Sequence, residues 1–155
     1  MADVDRYLPP LSQTPMFREL GHSELRHIAE MMEEHRFPAG TTLAESGEAG
    51  HTLYLITSGL VRVPSLVGTR ASLLMTAPEI LGVAAIVPPH RYIATGVADT
   101  DCEVLTIPVS GIHALMDMDV SVARRLTHEV AQYLYQRLEE AIADAHGRTI
   151  GNYVN

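Results

Sequence analysis

The chain has 155 residues, enough for one domain and too few for two of ordinary size. Nineteen acidic residues against eleven basic ones, all arginine, leave a net charge of −8, the wrong sign for a protein that displaces counterions from nucleic acid. Apolar residues make up 46% of the chain, sufficient for a buried core, yet no run of about 18 apolar residues is present to span a bilayer.

The opening Met1-Ala2-Asp3-Val4-Asp5-Arg6 lacks the basic and apolar regions of a signal peptide, and the single Cys102 has no partner for an internal disulfide. Both point to a cytoplasmic chain. Residues 1–22 read as an irregular lead, because Pro9, Pro10 and Pro15 discourage a continuous helix. Ser23 reads as the N-cap of a helix over Glu24–Glu33, with Leu25, Ile28, Ala29, Met31 and Met32 on its apolar face. From about residue 36 to 107 the texture turns β-like. Strands are expected at Thr41–Leu43, Thr52–Ile56, Leu60–Val63, Ser72–Thr76, Tyr92–Ala98 and Glu103–Ile107, with turns between. A short helix is expected over Val109–Met116 and a long one over Val120–Ala145, then a polar tail over 147–155. The boundaries that follow are a lead at 1–22, one domain at 23–146 and the tail.

The glycines Gly40, Gly47 and Gly59 fall where a roll of short strands must reverse. With Pro38-Ala39-Gly40-Thr41-Thr42-Leu43, Gly47-Glu48, Leu53-Tyr54-Leu55-Ile56 and Ser58-Gly59-Leu60-Val61-Arg62-Val63, they form a set that resembles the opening of cyclic-nucleotide-binding domains. This is the sensory module of the bacterial cAMP receptor and Fnr-type regulators. Ile80-Leu81-Gly82 resembles the start of that family's phosphate-binding cassette, and Cys102–Ile107 resembles its last strand. Ala123-Arg124-Arg125-Leu126 resembles the start of its dimerisation helix, and Phe17 with Leu20 resembles its helical lead. The likeness covers roughly residues 16–145. It implies a mainly β fold with flanking helices: an antiparallel β-roll of the jelly-roll kind, short helices before it and a long C-terminal helix after it.

The resemblance also implies a ligand pocket formed by Leu81, Gly82, Val83, Ala84, Ala85, Arg91, Tyr92 and Ile93, with Glu129 contributed by the long helix. The family's cassette carries a Glu that accepts from the ribose and an Arg and hydroxyl residue that hold the cyclic phosphate. Here Val83 stands in place of the Glu. Counting back from Cys102 puts Tyr92 and Ile93 at the Arg and hydroxyl positions, with Arg91 one residue early, a shift that on a strand turns a side chain to the other face. The base-reading pair falls on Glu129 and Val130. Each lost charge-assisted hydrogen bond costs about 1.5–3 kcal/mol, so the pocket is expected to be more apolar than a nucleotide site.

Family members that hold haem in the same cavity suggest His90 and Cys102 as alternative axial ligands. No pair of histidines has zinc spacing, and no nucleophile elbow or Walker loop is present, so the expected function is not enzymatic. The apolar stripe of the long helix, Ala123, Leu126, Val130, Tyr133, Leu134, Leu138, Ala141 and Ala145, is expected to seat a second copy of the chain. Leu126, Val130, Tyr133, Leu134, Arg137 and Leu138 are the candidate dimer contacts. The ten residues after Ala145 leave no room for a DNA-binding helix-turn-helix. The reading is therefore a stand-alone sensory module that binds a cyclic nucleotide or another small ligand and signals to a protein partner. The alternatives are a haem or apolar-ligand sensor and a ligand-free interaction module.

Overall fold

The computed structural model describes residues 3–64 and 73–145. Two helices come first, α1 (Val4–Gln13) and α2 (His22–Glu30). Eight strands follow: β1 (Glu33–Phe37), β2 (Thr42–Ala44), β3 (Thr52–Ser58), β4 (Val61–Val63), β5 (Leu73–Met75), β6 (Ile80–Leu81), β7 (Gly96–Ala98) and β8 (Cys102–Pro108). A 3-10 turn, Val83–Ile86, separates β6 from β7, and α3 (Val109–Met118) and α4 (Val120–Ala145) close the described chain.

Every strand pair is antiparallel, in two four-stranded sheets ordered β1-β8-β3-β6 and β2-β7-β4-β5. This is the expected jelly roll. Alternation along the strands builds its core, with Leu53 and Leu55 of β3, Val61 and Val63 of β4, and Leu73 and Met75 of β5 all buried. Ile56 is buried on the other face, beside Tyr7 and Pro10 of α1 and Leu105 of β8. The roll is thus covered on one outer side by the N-terminal segment.

That segment corrects the expectation of an irregular lead. α1 contains Pro9 and Pro10. The carbonyls they deprive of amide partners belong to Asp5 and Arg6, which are exposed and open to water. Burial of Tyr7 and Leu11 then outweighs the proline penalty. α2 starts two residues earlier than expected. Gly21 is its N-cap and Glu24 reaches back to accept from the Gly21 amide at 3.1 Å, so Ser23 lies inside the helix. The helix stops at Glu30 because Glu33–Phe37 is drawn into the sheet against β8, with Glu33 opposite Thr106 and Phe37 opposite Cys102.

The expected strand Tyr92–Ala98 survives only as Gly96–Ala98. Ser46 ties down the residues before it: its amide donates to the Thr95 hydroxyl at 3.0 Å and its hydroxyl to the Ile93 carbonyl at 3.2 Å. The expected α3 extends to Met118, and α4 starts at Val120 as expected and runs to Ala145, the last described residue. Ser72 and the tail 147–155 lie outside the described residues. α4 docks on α3 and on the 3-10 turn, burying Val122, Leu126 and Val130.

Phe17 of the lead, part of the hydrophobic core, is the largest fully buried side chain among the described residues. Phe17→Ala is expected to cost about 3–5 kcal/mol, read as a lowered urea midpoint. A loss under about 1 kcal/mol would show that the lead is not part of the folded unit.

Candidate ligand-binding site

Two left-handed residues bracket the cassette, Gly82 and, at φ 62°, His90. Gly82, at φ 101°, turns the chain from β6 into the 3-10 turn, a backbone state that side chains resist. Leu81, Val83, Ala84, Ala85 and Ile86 are all buried. Across from them, residues 90–92 are laced to residues 47–50. The Gly50 amide donates to the His90 carbonyl at 2.9 Å, the Tyr92 amide to Glu48 at 3.0 Å and the Gly47 amide to Tyr92 at 2.8 Å.

This lacing decides where the side chains go. Arg91 is exposed and donates to the Gly47 carbonyl at 2.9 Å, on the loop rather than in the cassette. Tyr92 is buried. Its hydroxyl donates to the Thr52 carbonyl at 2.7 Å and accepts from the Thr52 amide at 3.2 Å. Its ring packs so closely that a Cβ on Gly82 would lie 3.0 Å from Tyr92 Cε1, and one on Gly50 would lie 3.1 Å from the same atom and 2.3 Å from the Ala85 Cβ. The space between Gly82, Gly50 and Ala85 is therefore filled by a phenol. Ile93 stays 39% exposed. Of the expected pocket, the structure brings Gly82, Ala85 and Tyr92 together and sends Arg91 away.

Val83 and Glu129 meet elsewhere. Both line a cavity of about 430 Å³ between the N-terminal segment, β5, β6 and α4. Its far end carries a pair that the sequence reading missed: Arg137 donates to Glu140 at 3.0 Å, with side chains 7% and 5% exposed. Burial raises the Glu140 carboxyl and Arg137 opposes the rise. The Arg–x–x–Glu spacing on one helix was the available signal. The neighbouring Glu139, which is exposed, made the Glu139–Glu140 dipeptide look like a solvated face.

The helix contacts are also rearranged. Leu126 and Val130 are fully buried within the chain itself, Arg137 is buried, and Tyr133 and Leu134 are half-buried; Leu138 is the one exposed member of the expected set. A second stripe faces outward: Ala131, Tyr135, Leu138 and Ile142 are exposed, the last three at 63%, 54% and 47%. Two stripes lie side by side on α4, and a sequence pattern does not say which one the same chain covers.

His90 and Cys102 do not share a site. His90 Nδ1 lies 3.0 Å from the Ala85 carbonyl, its ring edge-on to His113, whose Nε2 is 2.9 Å from the Ile86 carbonyl. The Cys102 thiol donates toward the Leu60 and Thr100 carbonyls beside the β3–β4 turn, at the opposite end of β3 from Thr52, and burial pushes it up. Six residues of strand, about 20 Å, separate those ends. Among the described residues no group of three or more His, Cys, Asp or Glu gathers at a metal-binding distance.

Comparison with known proteins agrees with this architecture. The model of the cyclic nucleotide-binding domain matches residues 34–119, more than half of the chain. The chain belongs to the cyclic nucleotide-binding domain family. Over 131 residues it is 29% identical to the cyclic AMP receptor protein of Thermus thermophilus, covering 83% of this chain and 59% of that one. It is 24% identical to the cAMP-dependent protein kinase regulatory subunit of Colletotrichum orbiculare, covering 77% of this chain and 30% of that one. The chain thus spans only part of each relative's length. In fold it is similar to a putative cyclic nucleotide-binding protein from Geobacter metallireducens, with a TM-score of 0.73, 22% identity and coverage of 89% and 99%. The relatives are regulatory proteins by name. No helix among the described residues is long and apolar enough to cross a membrane.

Tyr54 reports the closed cassette. Burial, and then the neighbouring Tyr92, push its hydroxyl up to about 12 from 10.0. A phenol raised on folding contributes stability that is complete below pH 10 and is lost as pH climbs toward 12. The urea midpoint of the native chain is expected to fall over that window, and Tyr54→Phe to flatten the fall. An unchanged slope in the variant would contradict a shielded Tyr54.

Proposed function

We propose that this chain is a cytoplasmic regulatory module of the cyclic nucleotide-binding family whose roll signals through α4 to a protein partner, working as a homodimer. The observation that carries the reading is the division of α4 between two faces. Leu126 and Val130 are buried where α4 docks on α3 and the 3-10 turn, so a change in the cassette is felt by the helix. Ala131, Tyr135, Leu138 and Ile142 recur at spacings of four, three and four residues on the outer face. This is the seam spacing of a two-stranded coiled coil, and three large apolar side chains left in water favour a second helix there. Ligand binding in the roll would act by favouring one placement of α4 over another.

The cassette supports a departure from the cyclic-phosphate chemistry of the Thermus thermophilus and Colletotrichum orbiculare relatives. Val83 offers no acceptor to a ribose, Arg91 is held on the loop, and Tyr92 fills the space beside Gly82. The same filling gives some support to a second reading, an interaction module whose phosphate side is vestigial.

Light scattering after size exclusion tests the assembly. The native chain is expected to run at twice 16.9 kDa, and Leu138→Asp to run as a folded monomer with an unchanged far-UV circular dichroism spectrum, because Leu138 is 54% exposed in its own chain. A native monomer at high concentration, or a variant that still dimerises, would overturn the seam.

A further inference from the structure

The seam proposed for α4 is not uniform along its length. Traced back from Ile142, Leu138, Tyr135 and Ala131 with the same alternation of four and three, it passes through His128 and Arg124. The large apolar members therefore all lie in the C-terminal half. Two such helices set apolar on apolar along their whole length only when they run parallel, and in a parallel two-fold pair each seam residue meets its own copy. His128, Ala131 and Tyr135 line one groove on the outer face of α4. The small side chain of Ala131 lets two helix axes approach, and His128 is the next layer, about 4.5 Å along the axis. Close approach at Ala131 thus carries the two imidazoles toward each other. The charges around that layer are one-sided. His128 and Arg124 are exposed, and neither makes a hydrogen bond or ion pair among the described residues. Within a helical turn of His128 the other charged groups are Arg125, which pairs with Glu19 of the lead at 3.3 Å, and Glu129, which lines the inner cavity. Asp119 and the groove carboxylate Glu139 are about 13 and 16 Å away along the axis. A proton on His128 therefore gains no carboxylate on the seam face. It meets two like charges instead, Arg124 one turn back and the imidazolium of the second copy.

We infer that His128 makes the α4 seam pH-sensitive: two copies associate when it is neutral and separate when it is protonated. Imidazole is the side chain whose charge changes in mild acid. In a free monomer the imidazolium of an exposed His128 is hydrated, whereas in the seam it is pressed against its own kind. Protons therefore bind the monomer more readily than the dimer. Association weakens as pH falls and strengthens as pH rises. The inference rests on the dimer reading and names what regulates that same surface.

The test is a dilution series of the full chain by sedimentation velocity, at about pH 8 and about pH 6 and one ionic strength. The dimer dissociation constant is expected to rise at least roughly tenfold from the higher pH to the lower. Far-UV circular dichroism is expected to be the same at both, so that the monomer formed in acid is the folded chain. His128→Gln keeps a polar side chain that takes no charge, and is expected to shrink the difference to within about twofold while the other histidines remain. His128→Leu adds an apolar layer and is expected to dimerise more tightly than the native chain at both pH values, again without the difference. A native dimer with the same constant at both pH values, or a difference that survives in both variants, would overturn the inference and leave the seam standing. A native chain that is monomeric at both pH values and at every concentration would remove the seam itself, and this regulation with it.

Discussion

The Tyr92 phenol, held by two hydrogen bonds to one residue of β3, is the contact on which the rest of the site depends. Because Thr52 both donates to it and accepts from it, the ring has a single seat, and that seat is against Gly82 and Gly50. The lacing of 90–92 to 47–50 follows from the same register, which sends the neighbouring Arg91 outward to the Gly47 carbonyl. In the proposed reading, one residue of register exchanges a cation for an aromatic ring at the cassette. In a buried site of this kind the exchange removes the anion's counter-charge and fills its volume together.

With Tyr92 seated against Gly82, open space remains on the α4 side of Val83. The helix that follows the roll is committed by Leu126 and Val130 on one flank, is bare at Tyr135, Leu138 and Ile142 on another, and borders a cavity with Glu129, Arg137 and Glu140 on a third. Three different neighbours along one rigid element are what a relay needs. A shift of α4 by one of them is presented to the others. The acid surplus of the chain fits the protein partner proposed for α4.

Much of the roll was legible because its signals are local. The glycines Gly40, Gly47 and Gly59 do adopt positive φ, and α4 begins where its apolar period does. β1 was not legible, since Glu33-Glu34-His35-Arg36 is polar throughout and becomes a strand only because β8 offers it an edge. α1 was hidden by two prolines whose cost is met by tertiary burial of Tyr7 and Leu11. For the site, the sequence reads Val83, Tyr92 and Ile93 as departures from the family's cassette, and the structure seats Tyr92 beside Gly82 and leaves Ile93 exposed. The consequence for Arg91 was not legible: whether it would swing back or stay out depends on hydrogen bonds between segments more than forty residues apart. The two stripes of α4 show the same limit, because periodicity gives an apolar face and not the identity of what covers it.

The central claim is that Tyr92 occupies the place of the cyclic phosphate. Calorimetric titration of the intact chain with cAMP and with cGMP tests it most directly. A filled, uncharged cassette predicts flat traces up to roughly millimolar nucleotide, the loss expected when several polar contacts worth about 1.5–3 kcal/mol each are absent. A saturable, stoichiometric isotherm in the micromolar range would contradict it, since the phosphate would then have found a counter-charge in spite of Tyr92.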